Sequence, residues 1–223
     1  MATLPQRSEK RVPLSRERVI DAAIGLADAH GIDALSMRRL AQELGVEAMS
    51  VYHHVANKDE ILDGIVEVVL DEFELPEPGA EWKAAIHRTA RSAHEVLVRH
   101  PWAANLILSG GGSGKARLRY MDGILGSLRQ AGFSAEMTDH AYHALDSHIM
   151  GFTLWQVGMN LGSEEHLKDL AATFLAQLDV AEFPYLGEHV EQHLKPRDPD
   201  DPGEFEFGLS LILDGLERLL PAT

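Results

Sequence analysis

Two histidines stand side by side in the stretch VYHHVANKDE, Val51 to Glu60, and three more, His140, His143 and His148, fall close together with Asp146 and Ser147. Imidazoles at such spacings can hold a metal, move a proton or donate hydrogen bonds to an anion. Adjacent residues on a helix point about 100° apart, so His53 and His54 cannot grip one ion together. A surface that meets another molecule is the better reading for them, with a plain solvated face as the alternative. His143 shares a helical face with Asp146 or Ser147, and two imidazoles with a carboxylate could bind zinc or perform acid–base chemistry. The competing reading, which we favour, is polar lining or surface on a helix that packs against a second subunit. His189 and His193, four residues apart beside Glu188 and Glu191, are read as facing solvent. The run SGGGSGKA at 109–116 imitates a phosphate loop. It lacks the first glycine, where Ser109 stands, and the final hydroxyl, where Ala116 stands, and no strand precedes it. A flexible helix–helix connector fits better.

With 223 residues and 45% hydrophobic content, the chain has the makings of a globular protein. Having no cysteine, it can form no disulfide, zinc thiolate or thiol nucleophile. No apolar run is long enough to span a bilayer, and MATLPQRSEKRVPL has no signal-peptide core, so the expectation is a soluble, cytoplasmic protein without membrane contact. The net charge of −15 speaks against nucleic acid until its distribution is considered. Residues 1–60 carry 8 Lys/Arg against 9 Asp/Glu, whereas residues 61–223 carry 12 against 26. Arg7, Lys10, Arg11, Arg16 and Arg18 crowd the start. Residues 1–14 are expected to form a flexible basic arm.

Apolar residues recur at helical spacing throughout, with no alternating strand pattern, which predicts an all-α fold. Ser15 and Gly31 bracket a first helix; Ser36 and Gly45 bracket a short second one. A third, about Ala48 to His54, buries Val51 and Val55. Asn57 caps a fourth, with Glu60 three residues on completing a variant capping box. Further helices are expected at about 81–99, 102–108, 115–131, 134–160, 164–178 and 204–220. Two short helices joined at Gly45 and braced by a longer one form a helix-turn-helix, which seats its second helix in the DNA major groove. With Val51 and Val55 inward, Ser50, His53 and His54 face out, Tyr52 lies on the flank, and Arg38 offers a fork to guanine or phosphate. Lys58 stands at a helix N-terminus, where dipole and ammonium both favour an anion.

The stretch SRERVIDAAIGLADAHGIDALSMRRLAQELGVEAMSVYHHVANKDEILDGI resembles the TetR family of bacterial transcriptional regulators, most specifically in its Tyr-x-His-Val-x-Asn-Lys run. GFSAEMTDHAYHALDSHIMGFTLWQ and FEFGLSLILDGLERLL resemble the two dimerisation helices of the tetracycline-repressor branch. The resemblance implies a three-helix DNA-binding domain over 15–60 and a larger helical effector-binding and dimerisation domain over 61–223. It implies DNA contacts from Ser36, Met37, Arg38, Ala48, Met49, Ser50, Tyr52, His53, His54 and Lys58. It does not extend to the tetracycline–magnesium positions, which fall near Glu74, Thr89, Ala93 and Ile107 and lack the expected His and Asn side chains.

The resulting expectation is a homodimeric repressor, not an enzyme and with no cofactor or metal, released from a palindromic operator by a small-molecule effector. Candidate effector contacts, chosen as aromatic, Met or polar groups on otherwise apolar helices, are Trp102, Tyr120, Met121, His143, Ser147, Met150, Trp155 and Gln156. The last helix carries one row of Phe205, Gly208, Ile212, Gly215 and Leu219 and another of Leu209, Leu213, Leu216 and Leu220. Two apolar faces need two partners, so the first row, with Ile149 and Phe152, is assigned to the dimer interface. Two other classes stay open: a helical-bundle metalloenzyme or hydrolase using the His140–His148 cluster, and an interaction module that does not bind DNA.

Overall fold

A computed structural model describes residues 13–110, 114–159, 164–195 and 201–220. Most of the expected basic arm, up to residue 12, lies outside them. The described residues form helices α1 (Arg16–His30), α2 (Met37–Leu44), α3 (Ala48–Tyr52), α4 (Lys58–Asp71), α5 (Trp82–Arg99), α6 (Ala103–Leu108), α7 (Lys115–Gln130), α8 (Ala135–Gly158), α9 (Glu164–Leu175), α10 (Pro184–Gln192) and α11 (Glu204–Glu217). A single 3-10 turn at Ile32–Ala34 follows α1. The all-α expectation holds, and no described helix is long and apolar enough to cross a membrane. The chain divides into two compact units, 1–65 and 66–223, the division falling inside α4.

In the first unit the punctuation residues act as their chemistry dictates. The Ser15 hydroxyl accepts from the Arg18 N–H at 3.2 Å, and the Ser36 hydroxyl from the Arg39 N–H at 3.3 Å. Gly45 takes φ 65, ψ 36, and beyond it the Val46 N–H reaches back to the Ala41 carbonyl at 3.0 Å, closing α2. Val19, Ile20, Ala23, Leu40, Val51, Val55, Ile61 and Ile65 share the core. Gly64 lets α4 approach α1, because a Cβ there would lie 2.6 Å from Ile20 Cδ1.

In the second unit α5 packs against α7, α8 and α11. Its buried stripe runs from Ala85 and Ile86 through Ala90 and Ala93 to Leu97. Trp82 meets Phe133 edge-on at 5.3 Å, and Phe73, beyond the end of α4, meets Tyr120 in the same way at 5.3 Å. Helices α9 and α10 pack on each other. The α10 helix is absent from the sequence expectation because only Gly187 and Val190 are buried along it, too few to mark a face. The predicted stretches 164–178 and 204–220 shorten as well: α9 stops at Leu175 and α11 at Glu217.

On α11 the two apolar rows part, though one residue changes sides. Leu209, Leu213 and Leu216 are buried, and Phe205 joins them inside the protomer. Ile149 on α8 is fully buried too, so neither it nor Phe205 has surface left for a partner. Phe207 and Leu211, 62% and 60% exposed, occupy the outer face, and Leu219 is exposed just past the end of the helix. Gly208 makes its close approach within the chain, since a Cβ on it would overlap the His148 ring. Gly215 faces open space.

Candidate functional site

Val51 and Val55 sink into the core of the first unit, and that pair fixes what the chain between them presents. Met49 is 67% and Tyr52 44% exposed; His53 is exposed, and Ser50, Ala48 and His54 are half-buried. The helix itself ends at Tyr52, two residues earlier than its pattern suggested. His53 and His54 continue as a turn, in which the His54 N–H bonds the Val51 carbonyl at 2.9 Å and the Val55 N–H the same oxygen at 3.2 Å. One carbonyl thus serves two donors, and the two imidazoles extend the α3 surface without being in the helix. On α2, Ser36 and Arg38 are exposed and Met37 is half-buried.

Lys58 is exposed at the first residue of α4. Two of the backbone donors around it are already engaged. Asn57 Oδ1 accepts from the Glu60 N–H at 2.8 Å, and Glu60 Oε2 accepts from the Ala56 N–H at 2.7 Å. Glu60 also meets Arg16 at 3.2 Å, which ties the start of α4 to the start of α1. An anion at this corner is met by the Lys58 ammonium, with the Ala56 and Glu60 N–H groups already taken.

The candidate effector residues scatter. Trp102, Tyr120 and Met150 are buried, Met121 and Gln156 half-buried, and His143, Ser147 and Trp155 exposed. An open groove of about 530 Å³ along α7 is lined by Lys115, Leu118, Arg119, Met121, Asp122 and Leu125, and takes in only Met121 from that set. A polar centre forms elsewhere, where the Tyr120 hydroxyl donates to Asp146 Oδ1 at 3.4 Å. Burial pushes the Asp146 carboxyl up, and burial with the Asp146 charge pushes the Tyr142 phenol to about 12 and the Tyr120 phenol up as well. Arg117 closes one side, giving its Nη1 proton to the Ile107 carbonyl at 3.1 Å. Of the tetracycline–magnesium positions, Thr89, Ala93 and Ile107 are buried, while Glu74 is exposed beside Arg88 at 3.5 Å.

The histidines of α8 do not act as one group. His143 turns to Asp139 at 3.5 Å on the exposed side, whereas His148 gives its Nε2 proton to the Phe205 carbonyl at 2.9 Å. His140 is exposed. Among the described residues, no three of His, Asp and Glu are placed to share a metal ion. His189 and His193 meet edge-on at 5.2 Å, His189 exposed. Residues 111–113 of the glycine run lie outside the described residues. At its far end, the Ala116 N–H is taken by Glu67 Oε2 at 3.1 Å, so a carboxylate of the chain occupies the position where a phosphate loop would offer that donor.

Similarity to known proteins favours one of the three classes. Residues 19–65 match the description "Bacterial regulatory proteins, tetR family", and residues 75–220 match "Tetracyclin repressor-like, C-terminal domain". The chain belongs to the TetR family. It is similar to the HTH-type transcriptional repressor DrrR1 of Streptomyces coeruleorubidus, 31% identical over 97% of this chain and 82% of that protein. The Escherichia coli tetracycline repressor class D is 31% identical over 94% and 92%. Among solved structures, the TetR family protein ActR of Streptomyces coelicolor in complex with actinorhodin superposes with a TM-score of 0.74 at 30% identity, covering 95% of this chain and all of that one. A member of this family is a ligand-responsive, DNA-binding transcriptional regulator, and the enzyme and non-binding alternatives are not favoured.

Sequence reasoning alone missed the Glu67 contact with α7 and the His94 contact with Thr153 described below. Both join residues far apart in the chain, and no local spacing signals such a pair.

Proposed function

We propose that the chain is a non-enzymatic, cytoplasmic homodimeric repressor that binds a palindromic operator and is released by a small-molecule effector. The observation that carries this reading is the anchoring of α3 by Val51 and Val55, which leaves Met49, Tyr52 and His53 exposed, as Arg38 is on α2. Residues 15–60 do the reading of DNA, through Ser36, Met37, Arg38, Ala48, Met49, Ser50, Tyr52, His53, His54 and Lys58. Residues 61–223 bind effector and partner. A C₂ dimer sets two such surfaces roughly 34–36 Å apart, one turn of the duplex.

The dimer face is formed by Phe207, Leu211, Ile212 and Gly215 of α11 and Leu219 just beyond it, with Phe152 and Trp155 of α8. The exposed apolar side chains among them support it, as a patch of this kind on one protomer marks an interaction site. The effector draws on the buried Trp102, Tyr120 and Met150 and the half-buried Met121 and Gln156, with Asp146 added because it bonds Tyr120, rather than on the exposed His143, Ser147 and Trp155. Effector binding favours an arrangement of α4 that misplaces the reading surfaces; release is a shift in population and requires tighter binding to that arrangement. Tetracycline–magnesium is not the ligand, given the side chains near Glu74, Thr89, Ala93 and Ile107.

Selection of bound duplexes from a random pool tests the reading. Enrichment of a palindrome with half-sites about one turn apart supports it. Retention of no duplex, or of single half-sites only, contradicts it. Actinorhodin, the ligand of the ActR complex, is the first effector probe to add to the selected duplex.

A further inference from the structure

Glu67 lies in the second half of α4, and its Oε2 accepts the Ala116 N–H in the first turn of α7 at 3.1 Å. Gly114, immediately before that helix, has φ −80 and ψ −174, a backbone that any residue adopts. Its missing side chain is explained by Glu67 instead: a methyl group on Gly114 would overlap the Glu67 carboxyl group. The other carboxyl oxygen, Oε1, is buried and makes no hydrogen bond among the described residues. A carboxylate held this way depends on the partial positive charge at the N-terminus of the 16-residue α7 and on the single Ala116 donor. Asp71 with Arg119, and Glu72 just past α4 with Arg99 and His100, also join this segment to its neighbours, but the two arginine pairs are exposed and contribute little. The Glu67 contact is more sheltered: one of its carboxyl oxygens is buried.

Resting on the operator-binding reading above, we infer that Glu67 is a positioning residue that locks α4 to the start of α7, with Gly114 as its socket. The first residues of α4 belong to the unit that carries α2 and α3, and the residues from Val66 onward belong to the larger one. Loosening the lock spreads α4 over more arrangements and lowers the fraction of molecules ready for operator. Apparent affinity falls by that fraction, although no residue that meets DNA has changed.

The duplex selected by the unaltered chain is the probe. Its Kd is measured at several salt concentrations for the full-length dimer and for Glu67→Ala, Gly114→Ala, the double variant and Glu67→Gln, all well below their unfolding midpoints. Each alanine variant is expected to bind about three- to tenfold more weakly. The slope of log Kd against log salt stays unchanged because the same phosphates are met. The double variant should be no worse than Glu67→Ala, since a filled socket matters only while the carboxylate occupies it. Glu67→Gln keeps an acceptor oxygen and should retain most of the affinity. A merely structural role would lower the unfolding midpoint and leave the Kd of folded protein alone. An unchanged or tighter Kd in Glu67→Ala, or additive losses in the double variant, overturns the inference while operator binding by the unaltered chain stands. Failure of the unaltered chain to retain any duplex overturns both readings. Should Glu67→Ala not fold, Gly114→Ala carries the same comparison, because it alters only the socket.

Discussion

His94 on α5 gives its Nδ1 proton to Thr153 on α8: the two atoms are 2.8 Å apart, and the Thr153 hydroxyl proton already goes to the Ile149 carbonyl at 2.7 Å. That hydroxyl has only lone pairs left for the imidazole, so the neutral ring carries its hydrogen on Nδ1. The ring also stacks on Phe205 with centroids 3.9 Å apart. Burial holds the His94 pKa below its ordinary 6.5, the neighbouring His148 adds to the effect, and Glu95 and Glu206 oppose it. The unfolded chain therefore takes up this proton more readily than the folded one. The contribution to stability is full above pH 6.5 and is lost as pH falls toward the folded value. Between about pH 7 and pH 5 the unfolding midpoint of the unaltered chain should drop further than that of His94→Gln, which cannot take up the proton. Parallel curves would contradict this linkage.

The reading surface should be separable from the dimer. Arg38 and Tyr52 are exposed and lie off the core that Val51 and Val55 hold. Arg38→Ala or Tyr52→Ala should weaken binding to the selected duplex by about 10- to 100-fold, the range expected for loss of a good base contact. Sedimentation should still show the unaltered assembly, and the unfolding midpoint should hold. Undiminished affinity in both variants would remove α2 and α3 as the reading elements.

Much of the first unit was legible in the sequence because its signals are local. Ser15, Ser36, Gly45 and Asn57 each act within four residues of their partners, and the Val51–Val55 spacing orients α3 without reference to anything distant. The end of α3 was misplaced by two residues because a single carbonyl, that of Val51, carries the chain one turn past the helix. In the second unit the helices were legible but their contacts were not. Which face of α11 is buried depends on α5 and α8, and a pattern of two apolar rows does not say which row meets its own chain. The candidate effector residues suffered most, since their choice rested on chemical type, whereas Trp102 and Tyr120 are buried and His143 and Trp155 exposed.

The two faces of α11 give opposite expectations. Leu213 is buried in the protomer, and Leu213→Ala should cost about 2–5 kcal/mol in denaturant unfolding. Leu211 is largely exposed there. Leu211→Arg should leave the secondary structure intact and shift sedimentation toward the monomer, because an unpaired guanidinium in an apolar interface must be desolvated. A fully dimeric Leu211→Arg would place the subunit contact elsewhere.

Gly208 and Gly215 test the same assignment from the side of packing. Both are helical glycines one could credit with a close approach between subunits, yet a Cβ on Gly208 would overlap the imidazole of His148, which in turn bonds the Phe205 carbonyl at 2.9 Å. Gly208→Ala should therefore displace that ring and cost about 1–3 kcal/mol through overpacking, whatever the state of assembly. Gly215 has open space around it within the protomer, so Gly215→Ala should stabilise the isolated helix by up to about 1 kcal/mol. Where two copies meet at Gly215, the added methyl groups collide, and the dimer dissociation constant should rise while the fold does not weaken. Dissociation constants measured for the two variants separate these outcomes: a loss of assembly with Gly208→Ala at unchanged stability would return Gly208 to the subunit interface.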